Sequence, residues 1–256
     1  MRCFSVSSGS NGNCIYVESD HARLLLDAGI SGKQTADRLA VRGRDIRRID
    51  AVVISHDHSD HVRSAGILAR KFGLPVYMTA RTYKAAQSYS SLGTIADLRL
   101  FDPSGPLVFG DLSIQCMPTP HDAAEPLAFV VTDGRCRLGM LTDLGNLFEG
   151  LGDLMAGLDA AFLESNYDPD MLRDGPYPAF LKARIAGEHG HISNVEAGEL
   201  VAARSGAKLQ WVALSHLSET NNTPDLAYRT HCCIVGSHRP VHVCPRYAAG
   251  TELRVE

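Results

Sequence analysis

No apolar run in the 256 residues approaches the roughly 20 residues that a membrane-spanning helix needs. The opening segment, Met1-Arg2-Cys3-Phe4-Ser5-Val6, lacks the apolar stretch of a secretory signal. These absences lead us to expect a cytoplasmic protein. There is no C-x-x-C, and the seven cysteines are an odd number, which argues against a disulfide framework. Cys3, Cys14, Cys116, Cys136 and Cys244 lie in or beside apolar segments, where a free thiol acts as a small core residue. Cys232-Cys233 follow His231, but adjacent cysteines chelate one ion poorly. A strong charge of one sign is also missing. The formal net charge is −4, so overall charge does not mark a nucleic-acid binder, and two bound divalent cations would offset it. No low-complexity segment, short-period repeat or long linker divides the chain, so one domain spanning 1–256 is expected.

Hydrophobic residues make up 45% and charged residues 21%, enough for a sizeable core in a globular protein. Short runs rich in aliphatic and β-branched residues, bounded by Gly, Asp, Asn or Pro, predict strands. They fall at 3–7, 14–18, 23–27, 51–55, 75–79, 112–117, 127–132, 137–142, 160–164, 211–215 and 240–244. Helices are predicted at 33–42, 62–72, 179–186, 194–204 and 225–235, the fourth opened by the capping box Ser193-x-x-Glu196. Two strand-rich halves with interspersed helices suggest an α/β fold in which two packed sheets carry helices outside, a four-layer αββα sandwich.

Residues 56–61 read His-Asp-His-Ser-Asp-His, directly after the apolar run Ala51-Val52-Val53-Ile54. With 11 His in the chain, H-x-H-x-D-H arises by chance in roughly one such chain in a thousand. The plain alternative is a polar turn that happens to be rich in His. Three further residues each close an apolar strand: His121 after 112–117, Asp143 after 137–142, and His216 after 211–215. Polar residues at strand ends gather on one edge of an α/β sheet system. Imidazole and carboxylate suit Zn²⁺, Mn²⁺ or Fe²⁺, and no thiolate is needed.

The order H-x-H-x-D-H, His, Asp, His resembles the metallo-β-lactamase superfamily over nearly the whole chain, including the 7–13 loop and Leu26-Asp27-Ala28-Gly29. Four segments are similar to its WalJ/YycJ group, which is linked to 5′-to-3′ DNA exonuclease activity. They are Ser7-Ser8-Gly9-Ser10-Asn11-Gly12-Asn13, Leu163-Glu164-Ser165-Asn166, Gly190-His191-Ile192-Ser193-Asn194 and His216-Leu217-Ser218-x-x-Asn221-Asn222. Tyr167 departs from the group, where His is common. The resemblance implies two divalent ions. His56, His58 and His121 would bind one, Asp60, His61 and His216 the other, and Asp143 would bridge them. A hydroxide shared between the ions would attack the scissile phosphate of a nucleic acid, most simply DNA. Asp60 and His191 are the residues expected to act in catalysis, and Asp27 the one expected to orient a ligand His.

His191 precedes a helix start, where free N–H groups and the helix dipole favour phosphate. It could contact a phosphate oxygen or donate a proton to the leaving oxygen, or it could simply satisfy loop backbone. Ser8, Asn11, Asn13, Ser193 and Asn194 complete the expected phosphate contacts, the first three in a polar Gly-rich loop that could equally be a plain hairpin. Arg38, Arg42, Arg44, Arg47 and Arg48 stand against a single Asp45, as a phosphate-binding face or a solvated helix surface. Asp57 and Asp122 are expected as solvated loop residues and His189 at the surface, while His21, His231, His238 and His242 carry no assignment. Only 72 residues separate Asp143 from His216, too few for the inserted domain of β-CASP nucleases. Two other readings remain at this stage: a hydrolase of a small ester, thioester or lactam, and a metal-binding regulatory module, against which the full ligand set argues.

Overall fold

A computed structural model of the chain describes residues 1–89, 91–236 and 239–256, so His238 lies outside the described residues. Fourteen strands form among them: β1 Arg2–Ser7, β2 Cys14–Glu18, β3 Arg23–Leu26, β4 Ala51–Val53, β5 Val76–Thr79, β6 Leu98–Phe101, β7 Leu107–Phe109, β8 Leu112–Pro118, β9 Leu127–Thr132, β10 Arg137–Leu141, β11 Ala160–Glu164, β12 Trp211–Ser215, β13 Val241–Val243 and β14 Leu253–Arg254. They build two seven-stranded sheets, ordered β14-β1-β2-β3-β4-β5-β6 and β13-β12-β11-β10-β9-β8-β7. The sheets share one plan. In the first, β1, β2 and β3 run antiparallel and β3 to β6 run parallel. In the second, β7 to β10 run antiparallel and β10 to β13 run parallel.

Alternation of side chains across each strand builds three apolar layers. Leu24, Leu26, Val53, Phe129, Leu138 and Phe162 face the partner sheet. Leu25, Val52 and Ile54 turn outward onto Leu39 and Leu68, from the helices Gly32–Val41 and Ala65–Phe72. On the other side Leu141, Ala161, Leu163 and Leu214 pack against Leu151, Val201 and Ala227, from the helices Leu151–Ala156, Asn194–Arg204 and Pro224–Val235. The result is the four-layer αββα sandwich. Each fully buried Leu or Phe contributes about 1.5–3 kcal/mol, and the shared middle layer fixes the two sheet edges against each other.

The structure shortens two predicted strands where the site begins. The strand predicted at 23–27 ends at Leu26 because Asp27 is left-handed, with φ of 66°. The strand predicted at 51–55 ends at Val53, and the Ser55 N–H donates to the Asp27 carboxylate at 2.8 Å instead of to a neighbouring strand. The helix predicted at 62–72 is two pieces, Ser59–Val62 and Ala65–Phe72, because residues 59–62 make one turn that carries ligand side chains. Elements without a predicted counterpart include the short edge strands β6, β7 and β14. Helix Ala80–Tyr89 is another, as is Pro169–Asp174, whose Asp168 N-cap and Pro at the first position are a readable start signal.

Candidate metal centre

His56 and His58 sit two residues apart beyond the end of β4, and the one-turn helix Ser59–Val62 then folds His61 back onto His56, with ring centroids 4.1 Å apart. Gly29 makes the approach possible, since a Cβ there would stand 1.6 Å from the Asp60 carbonyl oxygen. The contact is fastened by Ala28 N–H to His61 O at 2.7 Å and Asn13 N–H to Asp60 O at 2.8 Å. β12 delivers His216, β10 delivers Asp143, and the segment after β8 delivers His121. Asp27, Asp143 and His216 are the non-glycine residues of positive φ among those described. A left-handed residue costs about 1–2 kcal/mol, and such strain collects at functional sites.

Ligand-type atoms converge in four overlapping groups: the triads His56, His58 and His121 and Asp60, His61 and His216, with Asp143 grouped both with His56 and His61 and with Glu164, His191 and His216. In the first, His58 Nδ1 and His121 Nε2 stand 3.2 Å apart. In the second, His216 Nε2 lies 3.3 Å and His61 Nε2 3.5 Å from Asp60 Oδ2. Asp143 lies between the triads, Oδ2 3.2 Å from His61 Nε2 and Oδ1 3.5 Å from His121 Nε2.

The outer ring nitrogens are held from behind. His61 Nδ1 is 2.6 Å from Asp27 Oδ2, His121 Nδ1 is 2.8 Å from the Gly190 carbonyl, and His216 Nδ1 is 3.1 Å from Glu164 Oε1. Ser55 Oγ donates to Asp27 Oδ2 at 2.9 Å, so at His56 Nδ1, also 2.9 Å away, it accepts. That leaves the His56 Nε2 lone pair aimed inward. His56 Nε2 and Asp143 Oδ2 are both buried without a hydrogen bond. Buried polar atoms are rarely left this way, and outer partners that fix a tautomer are the usual surroundings of a metal-binding His. The residues fit divalent cations.

The electrostatics agree. Burial holds the pKa of His56 well below the ordinary imidazole value, reinforced by His61, and burial lowers that of His121 too. At His216, burial is overcome by Asp143, Asp60 and Glu164, which raise the pKa to about 10. At His61, burial is likewise overcome, by Asp143, Asp27 and Asp60, and the pKa lies well above the ordinary value. The carboxylates thus favour positive charge at the centre.

His191 borders both triads, its ring centroid 4.9 Å from that of His121 and 5.1 Å from that of His216. Its Nδ1 is 2.7 Å from Glu164 Oε1. Glu164 is fully buried, and its Oε2 accepts from the N–H groups of Leu144 and Ile192 at 3.0 and 3.3 Å. Burial opposes its charge, yet His191 and His216 hold its pKa down to about 2. The sequence reading gave this residue no role, although it closes the apolar strand β11 just as Asp143 and His216 follow theirs.

Other expected residues land differently. Ser8 Oγ accepts the His216 N–H at 2.8 Å, and Asn13 Nδ2 reaches Asp60 Oδ2 at 3.2 Å and His61 Nε2 at 2.9 Å, so both support the ligand cluster. Ser193 Oγ caps its helix, and Asn194 is buried in an amide network with Ser165 and Asn222. Asn11 stays partly exposed beside Tyr247 and Arg246. The basic stretch is corrected by its contacts. Arg38 donates to the carbonyls of Val6 and Arg246, Arg42 to that of Ala249, and Arg44 pairs with Glu18 and Glu252, leaving Arg47 and Arg48 exposed. Asp57, expected to be solvated, is 5% exposed and accepts the Ala124 N–H at 2.8 Å. Asp122 pairs with Arg184 and approaches His58. Tyr167 is buried beside Ser193, and burial pushes its pKa up to about 12. Among the described residues, no ligand group of metal-binding geometry includes Cys232 or Cys233.

A family profile described as "Beta-lactamase superfamily domain" matches residues 22–213. The chain is 34% identical over 227 residues to a protein named exodeoxyribonuclease WalJ from Streptococcus pneumoniae, covering 88% of this chain and 84% of that one. It is 35% identical over 225 residues to one named exodeoxyribonuclease YycJ from Bacillus anthracis, covering 88% and 85%. In fold it is similar to the metallo-β-lactamase fold protein YhfI from Bacillus subtilis, with a TM-score of 0.76 at 19% identity over 98% of each chain. The chain belongs to the β-lactamase superfamily and carries its metallo-hydrolase fold.

Proposed function

We propose that this chain is a metal-dependent exonuclease that hydrolyses DNA, working as one domain over residues 1–256 in the cytoplasm. The observation that carries the reading is the pair of facing triads with Asp143 between them, in a chain 34–35% identical to two proteins named exodeoxyribonucleases. Among the described residues no helix is long and apolar enough to cross a membrane, and the cysteines are unpaired, in keeping with a reducing compartment.

In this proposal His56, His58 and His121 would hold one cation and Asp60, His61 and His216 the other, with Asp143 available to both. Two divalent cations, Zn²⁺, Mn²⁺ or Fe²⁺, supply Lewis-acid polarisation of the scissile phosphodiester. The chain's own groups do the rest. Asp27, Ser55, Gly190 and Glu164 keep the imidazole lone pairs facing inward. His191, held at Nδ1 by Glu164, leaves Nε2 to meet a phosphoryl oxygen or to carry the proton delivered to the leaving oxygen. Ser8 and Asn13 act through the ligands they support, and Asn11, half-exposed in the same loop, is bonded to Tyr247 and Arg246.

The test incubates metal-reconstituted protein with end-labelled single- and double-stranded DNA and RNA, alongside nitrocefin and a glutathione thioester. We expect metal-dependent release of nucleotides from DNA ends, and joint loss of bound metal and activity in Asp143→Ala. Hydrolysis of nitrocefin or the thioester with intact DNA would replace this reading with that of a small-molecule hydrolase.

A further inference from the structure

Beside the metal centre lies a cleft of about 480 Å³, within the range of small-ligand sites, that nothing above uses. Its walls come from three loops: Ser8 after β1, Leu217 after β12, and Pro245 with Tyr247 after β13, with Pro224 closing one side. β13 runs parallel to β12, which places the loops after both strands on one edge of their sheet. Ser8 Oγ bonds the His216 N–H, and Leu217 directly follows that ligand. The cleft and the metal centre therefore share a wall.

The cleft is built in advance of any occupant. The Arg246 guanidinium crosses beneath it, donating to Leu217 O at 2.5 Å and to Asn11 Oδ1 at 3.2 Å, and so ties the last loop to the first and to the His216 loop. Gly9 makes room for it, since a Cβ there would stand 2.5 Å from Arg246 Nη1. The Tyr247 hydroxyl is held by Glu219 and by Asn11 Nδ2, yet the residue remains 66% exposed. An aromatic ring fixed at its hydroxyl end and open to solvent at the mouth of an apolar cleft is a stacking platform. Base-on-aromatic stacking is how proteins grip single-stranded nucleic acid without reading its sequence. Arg63 and Arg246, which bind the Asn11 main chain and side chain, put positive charge at the loop beside the cleft, where it favours a phosphate.

We propose that this cleft seats the terminal nucleobase of the DNA strand, stacked on Tyr247, so that the adjoining phosphodiester reaches the metals. The proposal rests on the nuclease reading and explains attack at an end, because a cleft beside the metals takes a base that has left the helix.

The test compares kcat/KM for an oligodeoxynucleotide of ordinary nucleotides with that for the same oligonucleotide carrying abasic tetrahydrofuran residues at both termini. Metal-loaded wild-type protein, Tyr247→Ala and Ala248→Trp, which fills the cleft, are each assayed on both. The abasic substrate is each variant's own reference, so a general loss of activity cancels in the ratio. We expect wild type to favour the base-bearing ends by about tenfold or more, and the ratio to fall toward one in both variants. A wild-type ratio near one, or a ratio that persists in both variants, overturns the proposal. Equilibrium binding of dAMP and of deoxyribose 5-phosphate separates this failure from that of the nuclease reading. If no oligonucleotide is cut, preferential binding of dAMP that is lost in Tyr247→Ala still supports the cleft, and equal binding of the two ligands rejects it.

Discussion

Glu164→Gln should damage the metal centre more than the change of one atom suggests. Glu164 accepts four hydrogen bonds: from the His191 and His216 rings at Oε1, and from the Leu144 and Ile192 N–H groups at Oε2. Glutamine has the same shape but one acceptor oxygen. If its oxygen faces the rings, an amide NH₂ meets two backbone N–H groups, one of them on the residue after Asp143. If the oxygen faces the backbone, the NH₂ meets the two imidazoles. Each deprived buried donor costs about 1–3 kcal/mol, and loss of the partner behind a metal-binding His typically costs about 10–100-fold in metal affinity or activity. We therefore expect metal binding to weaken by about 10–100-fold in a chelator-competition titration, and kcat on DNA to fall even at saturating metal because His191 is no longer positioned. A double-mutant cycle tests the second part: His191→Ala should cost less in the Glu164→Gln background than in wild type, since both changes remove the same function. Metal affinity and turnover within about twofold of wild type, or additive effects in the cycle, would refute the positioning role.

Two further outcomes follow from the same geometry. His191→Ala should retain both metals by elemental analysis but lose about 10²–10⁴ in turnover of DNA, with a smaller defect on a nitrophenyl phosphodiester if His191 is the acid; metal loss, or unchanged rates on both substrates, rejects a catalytic role. Metal binding at pH 7 should release a proton from each of His61 and His216. Against burial, the surrounding carboxylates keep both protonated in the metal-free protein, His216 up to about pH 10, and a cation needs their lone pairs. Apparent affinity should therefore climb as pH rises toward 10, and calorimetry in buffers of different ionisation enthalpy that detects no proton release would reject the charge arrangement.

The sequence exposed what is local. Four of the cluster's residues lie within six positions, and His121, Asp143 and His216 each follow an apolar run, so the site could be read without knowing how the strands pair. The same rule reaches Glu164, which closes Ala160-Ala161-Phe162-Leu163, but an acidic strand end has many uses, and only the fold brings it to His191 and His216. Three of the arginines of 38–48 are drawn out of a common face for a related reason. Composition shows five cations, while the partners of Arg38, Arg42 and Arg44, namely Glu18, Glu252, Val6, Ala249 and Arg246, are set by tertiary packing, some of them more than 200 residues away. Asp57 is hidden likewise, its partner Ala124 being 67 residues on.

What the sequence could not show at all is that the two halves use the same device. Asp27 follows β3 and Asp143 follows β10, each the strand where its sheet changes from antiparallel to parallel pairing. Each is left-handed, at 66° and 58°, and each is followed two residues later by glycine. In an extended continuation the side chain would follow the strand's alternation onto one sheet face. The left-handed turn instead brings it to the sheet edge, where Asp27 meets His61 from behind and Asp143 meets it from the front. With His216 at 56°, three such residues hold about 3–6 kcal/mol of backbone strain, comparable to the whole stability of a marginal domain. Such strain persists only where the surroundings over-determine it, and here the packed layers do so, with Leu26 buried between the sheets one residue before Asp27 and Leu141 buried under the helices two residues before Asp143. Loosening that packing should thus disturb the metal centre before it unfolds the protein, because left-handed backbone is what aims Asp143, His216 and the Asp27 behind His61.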